Sequence, residues 1–441
     1  MIGVTAGTIM GSAIFLAAAF VPRSVPHAGL VLLLWTVGGL ISVAGALTYA
    51  ELGTMYPEAG GLYQYLKQGF GPLPSFLFGW ISILAIQSGS AAYLGVAFGE
   101  YLGVFLPFFS TKHVLASVAI GPWTWQPNTA QMAGIAAIGL LSAINYFGAK
   151  QGARTQTILT AIKVMSLVGL IVIGLSAPAK VSPDWTGPLP TGSLLPGMVL
   201  AMVMVFGSFD GWYQATFSAG EIHRPERNLP LGMVGGTLGM LGLYLLVNWV
   251  YLRALPIEAI GASTRIGEDA VTALLGPGAG RVLAGAVLIS VFGCISSTLL
   301  GASRIGLPMA QDGVFFRRLA TIHPRYLTPT TNIAVLGIWS CILTLSGSYE
   351  QLFTYATFSA LVFHIGAGTA VFRLRRTQPG TPRPYRTWGY PWVPAVFVLG
   401  TLGVVLVTLV QQPVQSLLGV GLVILGVPAF LWMRRSQRSD P

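Results

Sequence analysis

Apolar residues occur along the chain in long runs, separated by short stretches that carry most of the charged residues and many of the prolines. Runs of about 20 residues are long enough for one helix to cross a hydrocarbon core of ~30 Å. The pattern predicts twelve transmembrane helices. The predicted spans are residues 2–20, 30–51, 73–102, 129–147, 155–175, 195–220, 231–251, 281–309, 332–345, 349–374, 391–410 and 416–433.

Small and polar residues interrupt two of these spans near their middles. The first interruption is Gly-Ser-Ala-Ile-Phe at residues 11–15, and the second is Phe-Gly-Ser-Phe-Asp-Gly-Trp at residues 206–212. A break inside a membrane helix frees backbone N–H and C=O groups, and each unsatisfied group costs several kcal/mol where no water is available. Such breaks persist where they line a cavity, so the pair predicts a solute-binding site.

The breaks fall in the first and the sixth spans, which are equivalent positions in two consecutive sets of five. Corresponding interruptions are typical of transporters built from inverted repeats, with the site near the membrane midplane. We therefore expect a first repeat in residues 1–175 and a second in 195–374. Because five is odd, the two repeats would have opposite membrane topology. Two additional spans would occupy residues 391–433, followed by a cytoplasmic tail at 434–441.

Composition and charge support a membrane location. The chain is 54% hydrophobic and 8% charged, against roughly 25% charged in a soluble domain. If both termini are cytoplasmic, seventeen of the 24 basic residues lie on the cytoplasmic side and six lie outside, with Lys163 left inside a span. Cytoplasmic loops carry such an excess. We expect a multi-pass protein of the cell inner membrane.

Other classes of protein are disfavoured. The basic residues are spread over short loops, which does not suit nucleic-acid binding. The sequence shows no metal-ligand cluster, phosphate-binding loop or nucleophile triad, so we expect no enzymatic activity, metal or cofactor. Both cysteines, Cys294 and Cys341, fall inside predicted spans and provide no disulfide framework. The expected partners are a small solute and the lipid bilayer.

Several motifs around the breaks carry a family resemblance. They are Gly-Ser-Ala-Ile-Phe at 11–15, Ala-Glu-Leu at 50–52, Pro-Glu-Ala-Gly-Gly-Leu-Tyr-Gln-Tyr-Leu at 57–66, Phe-Asp-Gly-Trp at 209–212, Glu221, Pro-Glu-Arg-Asn-Leu-Pro at 225–230, Ser303-Arg304 and Asp312-Gly313. In this order and spacing they resemble the amino acid, polyamine and organocation (APC) transporter superfamily. The chain is most similar to bacterial relatives of the L-type amino acid transporters.

The resemblance implies an all-α leucine-transporter fold with 5+5 inverted repeats and two extra helices. It also implies transport of neutral L-amino acids by alternating access, as sodium-independent exchange or facilitated transport. The substrate carboxylate would bind backbone N–H groups of the first break, and its ammonium group would bind carbonyls of both breaks. The implied substrate-binding residues are Ile9, Gly11, Ser12, Ala13, Gly207, Ser208 and Asp210, and the possible gate residues are Phe206, Phe209 and Trp212. Helix ends that present free N–H and C=O groups independently suit a zwitterion.

Two residues inside the breaks depart from the family pattern. Ala13 replaces the second glycine of the first break, and its Cβ narrows the approach of the backbone to a substrate. Gly207 stands where an aromatic side chain often covers the substrate, which predicts a larger pocket or a looser gate. Asp210 has two open interpretations, as a cap of the lower half-helix or as a gating residue.

Two further polar residues lie within predicted spans. Lys163 follows Arg154 by nine residues, about 13 Å along a helix, so its ammonium group is deep in the membrane. The resemblance implies that Lys163 replaces a sodium ion and ties the fifth helix to the first break. Two alternatives stay open for Lys163: it only braces helix packing, or it titrates and couples transport to protons. We interpret His364, in the tenth span, as a packing histidine in preference to a proton relay.

Two alternative functions remain open from the sequence. The first is a proton-coupled symporter of amino acids or amines, and the second is an amino acid sensor that no longer transports. A disulfide-linked heavy chain is not expected. Residues 103–128, between the third and fourth spans, contain no cysteine to link one.

Overall fold

The structure is a computed structural model that describes residues 1–57, 60–120, 123–148, 152–185, 194–303, 305–315, 321–326 and 328–436. Glu58, Ala59, Arg304 and residues 437–441 of the predicted tail therefore lie outside the described part of the chain. The first half comprises α1 (Ile2–Ile9), α2 (Ala13–Leu16), α3 (Phe20–Ser24), α4 (Ala28–Met55), α5 (Leu62–Phe70), α6 (Pro72–Ile81), α7 (Gln87–Leu102), α8 (Thr129–Phe147) and α9 (Gly152–Ser176). The second half comprises α10 (Leu194–Phe209), α11 (Pro225–Ala254), α12 (Ile257–Ala262), α13 (Ile266–Leu275), α14 (Pro277–Ala302), α15 (Gly306–Gln311), α16 (Thr330–Thr344), α17 (Tyr349–Thr377), α18 (Trp392–Gln411) and α19 (Pro413–Ser436).

The helices have the length and composition of a multi-pass membrane protein. Within the described ranges, eight helical segments are long and apolar enough to cross a membrane. The shorter apolar helices are Ala13–Ser24, Thr160–Ser176, Leu194–Phe209 and Thr330–Thr344, at the positions of the first, fifth, sixth and ninth predicted spans. The expected all-α membrane architecture is therefore confirmed, whereas the count of twelve spans stays a prediction.

Some connecting elements were not predicted. Helices α5, α12, α13 and α15 have six to ten residues. They are too short to be detected as apolar runs of membrane-spanning length. A hairpin of β1 (Val118–Ile120) and β2 (Trp123–Trp125) pairs Val118 with Trp125 in the connection between α7 and α8. Its β-branched and aromatic residues favour a strand. The third span also contains a π-helical segment, Ser82–Ile86, between α6 and α7.

Small residues bring the interrupted helices close to their neighbours. A Cβ added to Gly38 of α4 would lie 2.5 Å from the Val205 side chain of α10, and one added to Gly236 of α11 would lie 2.7 Å from Thr5 of α1. Glycine permits such close helix contacts in membranes. Helix α10 is consequently held against α4, and α1 is held against α11. We call the side of the molecule where α1 begins the near face, and the side where α3 ends the far face.

Candidate functional site

The first break separates α1 from α2 within the first apolar run. Helix α1 ends at Ile9 and α2 begins at Ala13, so the break is shorter than residues 11–15 suggested. The Gly11 amide donates to the Ile9 carbonyl at 2.8 Å, whereas the amides of Ser12 and Ala13 find no acceptor in the described part of the chain. The break therefore presents free N–H groups, as the start of a helix does.

Buried tyrosine hydroxyls satisfy the carbonyls around this break. Tyr244 donates to the Ile9 carbonyl at 3.1 Å, Tyr251 to that of Ile14 at 3.0 Å, and Tyr101 to that of Phe15 at 3.1 Å. Sequence reasoning missed these tyrosines. The one available signal was the seven-residue spacing between Tyr244 and Tyr251, which places both on one face of α11.

The second break begins later than the sequence suggested. Helix α10 continues through Phe209, so residues 206–209 are helical, and the turn begins at Asp210. The Ser208 hydroxyl donates back to the Met204 carbonyl at 2.7 Å, which keeps a serine within a helix. The chain then passes through Gly211, whose φ is 112°, before a 3₁₀ helix, Gln214–Glu221.

Gly211 joins the two breaks. The Thr8 hydroxyl of α1 donates to the Gly211 carbonyl at 3.0 Å. A Cβ at position 211 would lie 2.5 Å from the Thr8 carbonyl oxygen. The positive φ and the close approach both require glycine.

The two breaks meet at a cavity of about 60 Å³. Of the seven expected substrate-binding residues, the cavity lining includes all except Ser208. The expected residues in the lining are Ile9, Gly11, Ser12, Ala13, Gly207 and Asp210, and the other lining residues are Thr8, Gln87, Ser90, Tyr93, Leu94, Gln214, Cys294 and Thr298. The cavity thus combines free backbone amides on one side with a carboxylate on the other.

The three possible gate residues do not line this cavity. Phe209 packs against Trp35 and Tyr244, with ring centroids 6.0 and 5.2 Å apart. Trp212 packs against Tyr49, at 4.8 Å between centroids. Phe206 borders a separate void of about 10 Å³. All three side chains are buried, and none of them contributes to the lining of the cavity between the breaks.

Aromatic residues of α7 and α17 close the far side of the cavity instead. The Phe353 ring lies 4.9 Å from that of Tyr93 and 5.6 Å from that of Tyr349. The Tyr349 hydroxyl is 3.4 Å from the Ser12 hydroxyl. Beyond Tyr349 a larger cavity of about 190 Å³ borders Arg23. This aromatic cluster therefore separates the two cavities.

The same cluster corrects the expectation for Gly207. A Cβ added there would lie 2.4 Å from the Phe353 ring and 2.4 Å from the Thr357 hydroxyl. Phe353 of α17 therefore occupies the space that a larger residue at position 207 would need. The glycine neither enlarges the pocket nor loosens this contact.

Lys163 is buried, with 2% of its surface exposed. Its ammonium group donates to the Cys294 thiol of α14 at 2.8 Å. The Cys294 sulfur lies 4.0 Å from the Met10 carbonyl oxygen. Lys163 therefore connects α9 to α14 and reaches the first break through Cys294.

Asp210 does not cap the helix that follows it, because that 3₁₀ helix has no side-chain cap. Its carboxylate faces His364 of α17, with 3.8 Å between Oδ1 and Nε2. Nδ1 of His364 forms a 2.8 Å hydrogen bond with the Tyr49 hydroxyl. His364 therefore connects the cavity carboxylate to α4.

Ion pairs link helices at both faces. On the near face, the buried Glu51 carboxylate of α4 accepts two hydrogen bonds from Arg375 of α17, at 2.9 and 2.6 Å, and one from the Thr387 amide at 2.8 Å. On the far face, Arg23 and Glu350 lie 3.4 Å apart with 43% and 44% of their side chains exposed. The near-face pair is thus the better shielded from solvent.

The chain is similar in sequence to known permeases and transporters of amino acids. A family model described as amino acid permease matches residues 1–428. The chain is 28% identical to the serine/threonine exchanger SteT of Bacillus subtilis over 98% of this chain and 95% of that protein. It is 28% identical to the human cystine/glutamate transporter over 97% and 83% of the two chains. It is also 28% identical to the human b(0,+)-type amino acid transporter 1, over 93% and 82%.

Proposed function

The chain belongs to the amino acid permease family, which confirms the resemblance in its motifs, and from this membership we propose that it exchanges neutral L-amino acids across the membrane. It is a transporter and not an enzyme, as are the relatives it matches. We propose alternating access without sodium. Relatives named as exchangers or transporters of amino acids support this proposal.

The cavity between the breaks is the observation that carries the proposal. The free amides of Ser12 and Ala13 suit a substrate carboxylate, and Asp210 lies on the same cavity. The Ile9 carbonyl already accepts bonds from Gly11 and Tyr244, which use both of its lone pairs. We therefore propose that the substrate ammonium lies towards Asp210 and the Gly207 carbonyl.

We further propose twelve spans in a leucine-transporter arrangement. Residues 1–175 and 195–374 would be the inverted repeats, and 391–433 would add two helices. The near face would be cytoplasmic in the cell inner membrane, so both termini would be cytoplasmic. The buried ion pair of Glu51 and Arg375 would then hold the cytoplasmic side closed. We propose that no disulfide-linked heavy chain is required.

Counterflow in proteoliposomes tests the function. Purified protein is reconstituted with or without internal amino acids, and uptake of each labelled neutral L-amino acid is measured in sodium and in choline buffer. We expect uptake, at the same neutral pH inside and outside, that is stimulated by an internal amino acid and does not change when sodium is replaced. Accumulation driven by a pH gradient that is acidic outside would indicate the symporter, and binding without flux would indicate the sensor.

Lys163→Ala tests the proposed role of Lys163, which is to tie the fifth helix to the first break in place of a sodium ion. The change removes the ammonium group that links α9 to α14 beside the first break, so we expect exchange to fall by about tenfold or more, equivalent to about 1.4 kcal/mol. Met165→Ala is the matched control, because that side chain is 65% exposed on the same helix. Normal exchange by Lys163→Ala would remove the assigned role.

A further inference from the structure

Three titratable side chains from three segments of the chain form a path that leads away from the central cavity. Asp210 lines the cavity and faces His364 of α17 at 3.8 Å. His364 is 3% exposed and shares a 2.8 Å hydrogen bond with Tyr49 of α4. The path connects the second break to two helices that pack beside it.

A small void borders both the carboxylate and the imidazole. It measures about 10 Å³ and is lined by both Asp210 and His364. That volume is about the size of one water molecule, and a water readily bridges polar groups that are more than about 3.5 Å apart. Asp210 therefore faces the substrate cavity on one side and the histidine on the other.

Lys163 is a second basic group close to the cavity, but it does not line it, because its ammonium group donates to the Cys294 thiol of the wall at 2.8 Å. The remaining titratable groups that face this path or the cavity are Tyr213 and Tyr65 beside the histidine and Tyr49, and Tyr93 and Cys294 in the cavity wall. No lysine or arginine of the described chain lines the cavity or the void. An uncompensated carboxylate in such a site is costly. His364 is the basic group placed to compensate Asp210.

We propose that the Asp210–His364 pair holds one proton when the cavity is empty and releases it when a substrate ammonium group binds beside Asp210. With the proton, the pair is neutral overall. When the ammonium arrives, the proton passes to bulk water, His364 becomes neutral, and the Asp210 carboxylate pairs with the substrate. The pair and the ammonium group together stay neutral, and the substrate carboxylate brings one negative charge to the free amides of Ser12 and Ala13.

The mechanism makes the proton a competitor of the amine substrate. The carrier would be loaded with one or the other, so a proton could replace the returning amino acid of an exchange cycle. This differs from symport, in which proton and substrate bind together. The inference rests on the proposed function only for the identity of the amine ligand.

Infrared titration without ligand tests the first half of the proposal. Protein in liposomes is titrated between about pH 5 and 8, where histidine ordinarily changes charge, and wild type is compared with His364→Gln and Asp210→Asn. We expect wild type to bind one proton more than either variant over this range. His113→Gln, which removes an exposed histidine, is the control. It should lower the number of bound protons by the same amount in the wild-type chain and in the Asp210→Asn variant. A wild-type titration equal to that of His364→Gln would overturn the proposal.

Calorimetry with L-serine tests the second half. Binding heats in buffers of different ionisation enthalpy give the number of protons released. We expect close to one proton per bound amino acid at the acidic end for wild type, and none for His364→Gln or Asp210→Asn. Binding without proton release would overturn the competition. If no amino acid bound, the proposed function would fail, while the ligand-free titration would still decide whether the pair holds a proton.

Discussion

The two breaks that meet at the cavity present different groups to it. At the first break, a hydroxyl from α11 binds the Ile9 carbonyl, while the amides of Ser12 and Ala13 have no acceptor in the described chain. At the second break, the Asp210 amide binds the Gly207 carbonyl, and the Gly211 carbonyl accepts bonds from the Gln214 amide and the Thr8 hydroxyl. The first break therefore offers neutral donors, and the second offers the charge of Asp210.

This difference would let one cavity bind both ends of a zwitterion, as we propose. Free amides at a helix start attract an anion without placing a permanent charge in the membrane. A carboxylate attracts a cation but needs compensation when the cation is absent. The first break thus has a fixed preference, whereas the second depends on what else occupies it. Substitutions that act on one break alone can separate the two.

The largest effect is expected from Gly211→Ala. Alanine would adopt a φ of 112°, a strain of about 1–3 kcal/mol, and its Cβ would meet the Thr8 carbonyl at 2.5 Å. Because the obstructing atom is backbone, the breaks must separate. We expect a clear fall in melting temperature and loss of exchange.

Gly239→Ala is the control for this change, because a Cβ there meets no atom within 4 Å. Alanine in a helix interior should leave stability unchanged or raise it by about 0.5–1 kcal/mol. Equal behaviour of the two variants in thermal melting would mean that Gly211 does not join the breaks.

Gly207→Ala should have the next largest effect, on the helix that enters the second break. Its Cβ would overlap the Phe353 ring and the Thr357 hydroxyl, each at 2.4 Å, and overpacking costs about 1–3 kcal/mol. We expect lower thermal stability and weaker exchange. Phe353→Leu in the same chain should restore part of the stability, and a double variant as unstable as Gly207→Ala would exclude this contact as the cause.

Tyr244→Phe should be milder and should affect both breaks. Its hydroxyl lies 3.1 Å from the Ile9 carbonyl and 3.2 Å from that of Ser208, and a hydrogen bond contributes about 0.5–1.5 kcal/mol. We expect reduced stability and reduced amino acid affinity. Tyr251→Phe loses a hydroxyl that serves only Ile14, so it should reduce stability alone. Thermal melting with and without amino acid distinguishes these results.

Sequence reasoning located the two breaks unequally, for a physical reason. At the first break, polar and small residues coincide with the loss of helix. At the second, Gly207 and Ser208 also look like a break, but packing against Phe353 and a bond to Met204 keep them helical. Both contacts require the folded structure. The length of the apolar runs located most membrane helices, because the thickness of the hydrocarbon core sets the length of each span locally.

The partners of the breaks were beyond prediction because they are distant in sequence. Tyr244 is 235 residues from the carbonyl it serves, and the closing residues Tyr349 and Phe353 belong to α17. Aromatic residues occur in many spans, so nothing in a single sequence marks these particular ones. The substrate-binding and gate roles of the predicted residues remain proposals.

The smallest effect is expected from Ser12→Ala, and it tests whether the first break binds through its backbone. The Ser12 hydroxyl contacts only the Tyr349 hydroxyl, at a weak 3.4 Å, while its amide is free. Alanine keeps the amide, so amino acid affinity should change by less than about threefold, below 1 kcal/mol.

Ser12→Pro provides the decisive contrast at the same position. The φ of Ser12 is −70°, close to the value of about −65° that proline requires, so the substitution removes the N–H group with little change of geometry. Gly11 before it tolerates the added restriction. We expect affinity to fall by about tenfold or more, as for the loss of about 1.4 kcal/mol. Equal losses in both variants, measured by equilibrium binding, would assign recognition to the side chain and leave the free amides without a role.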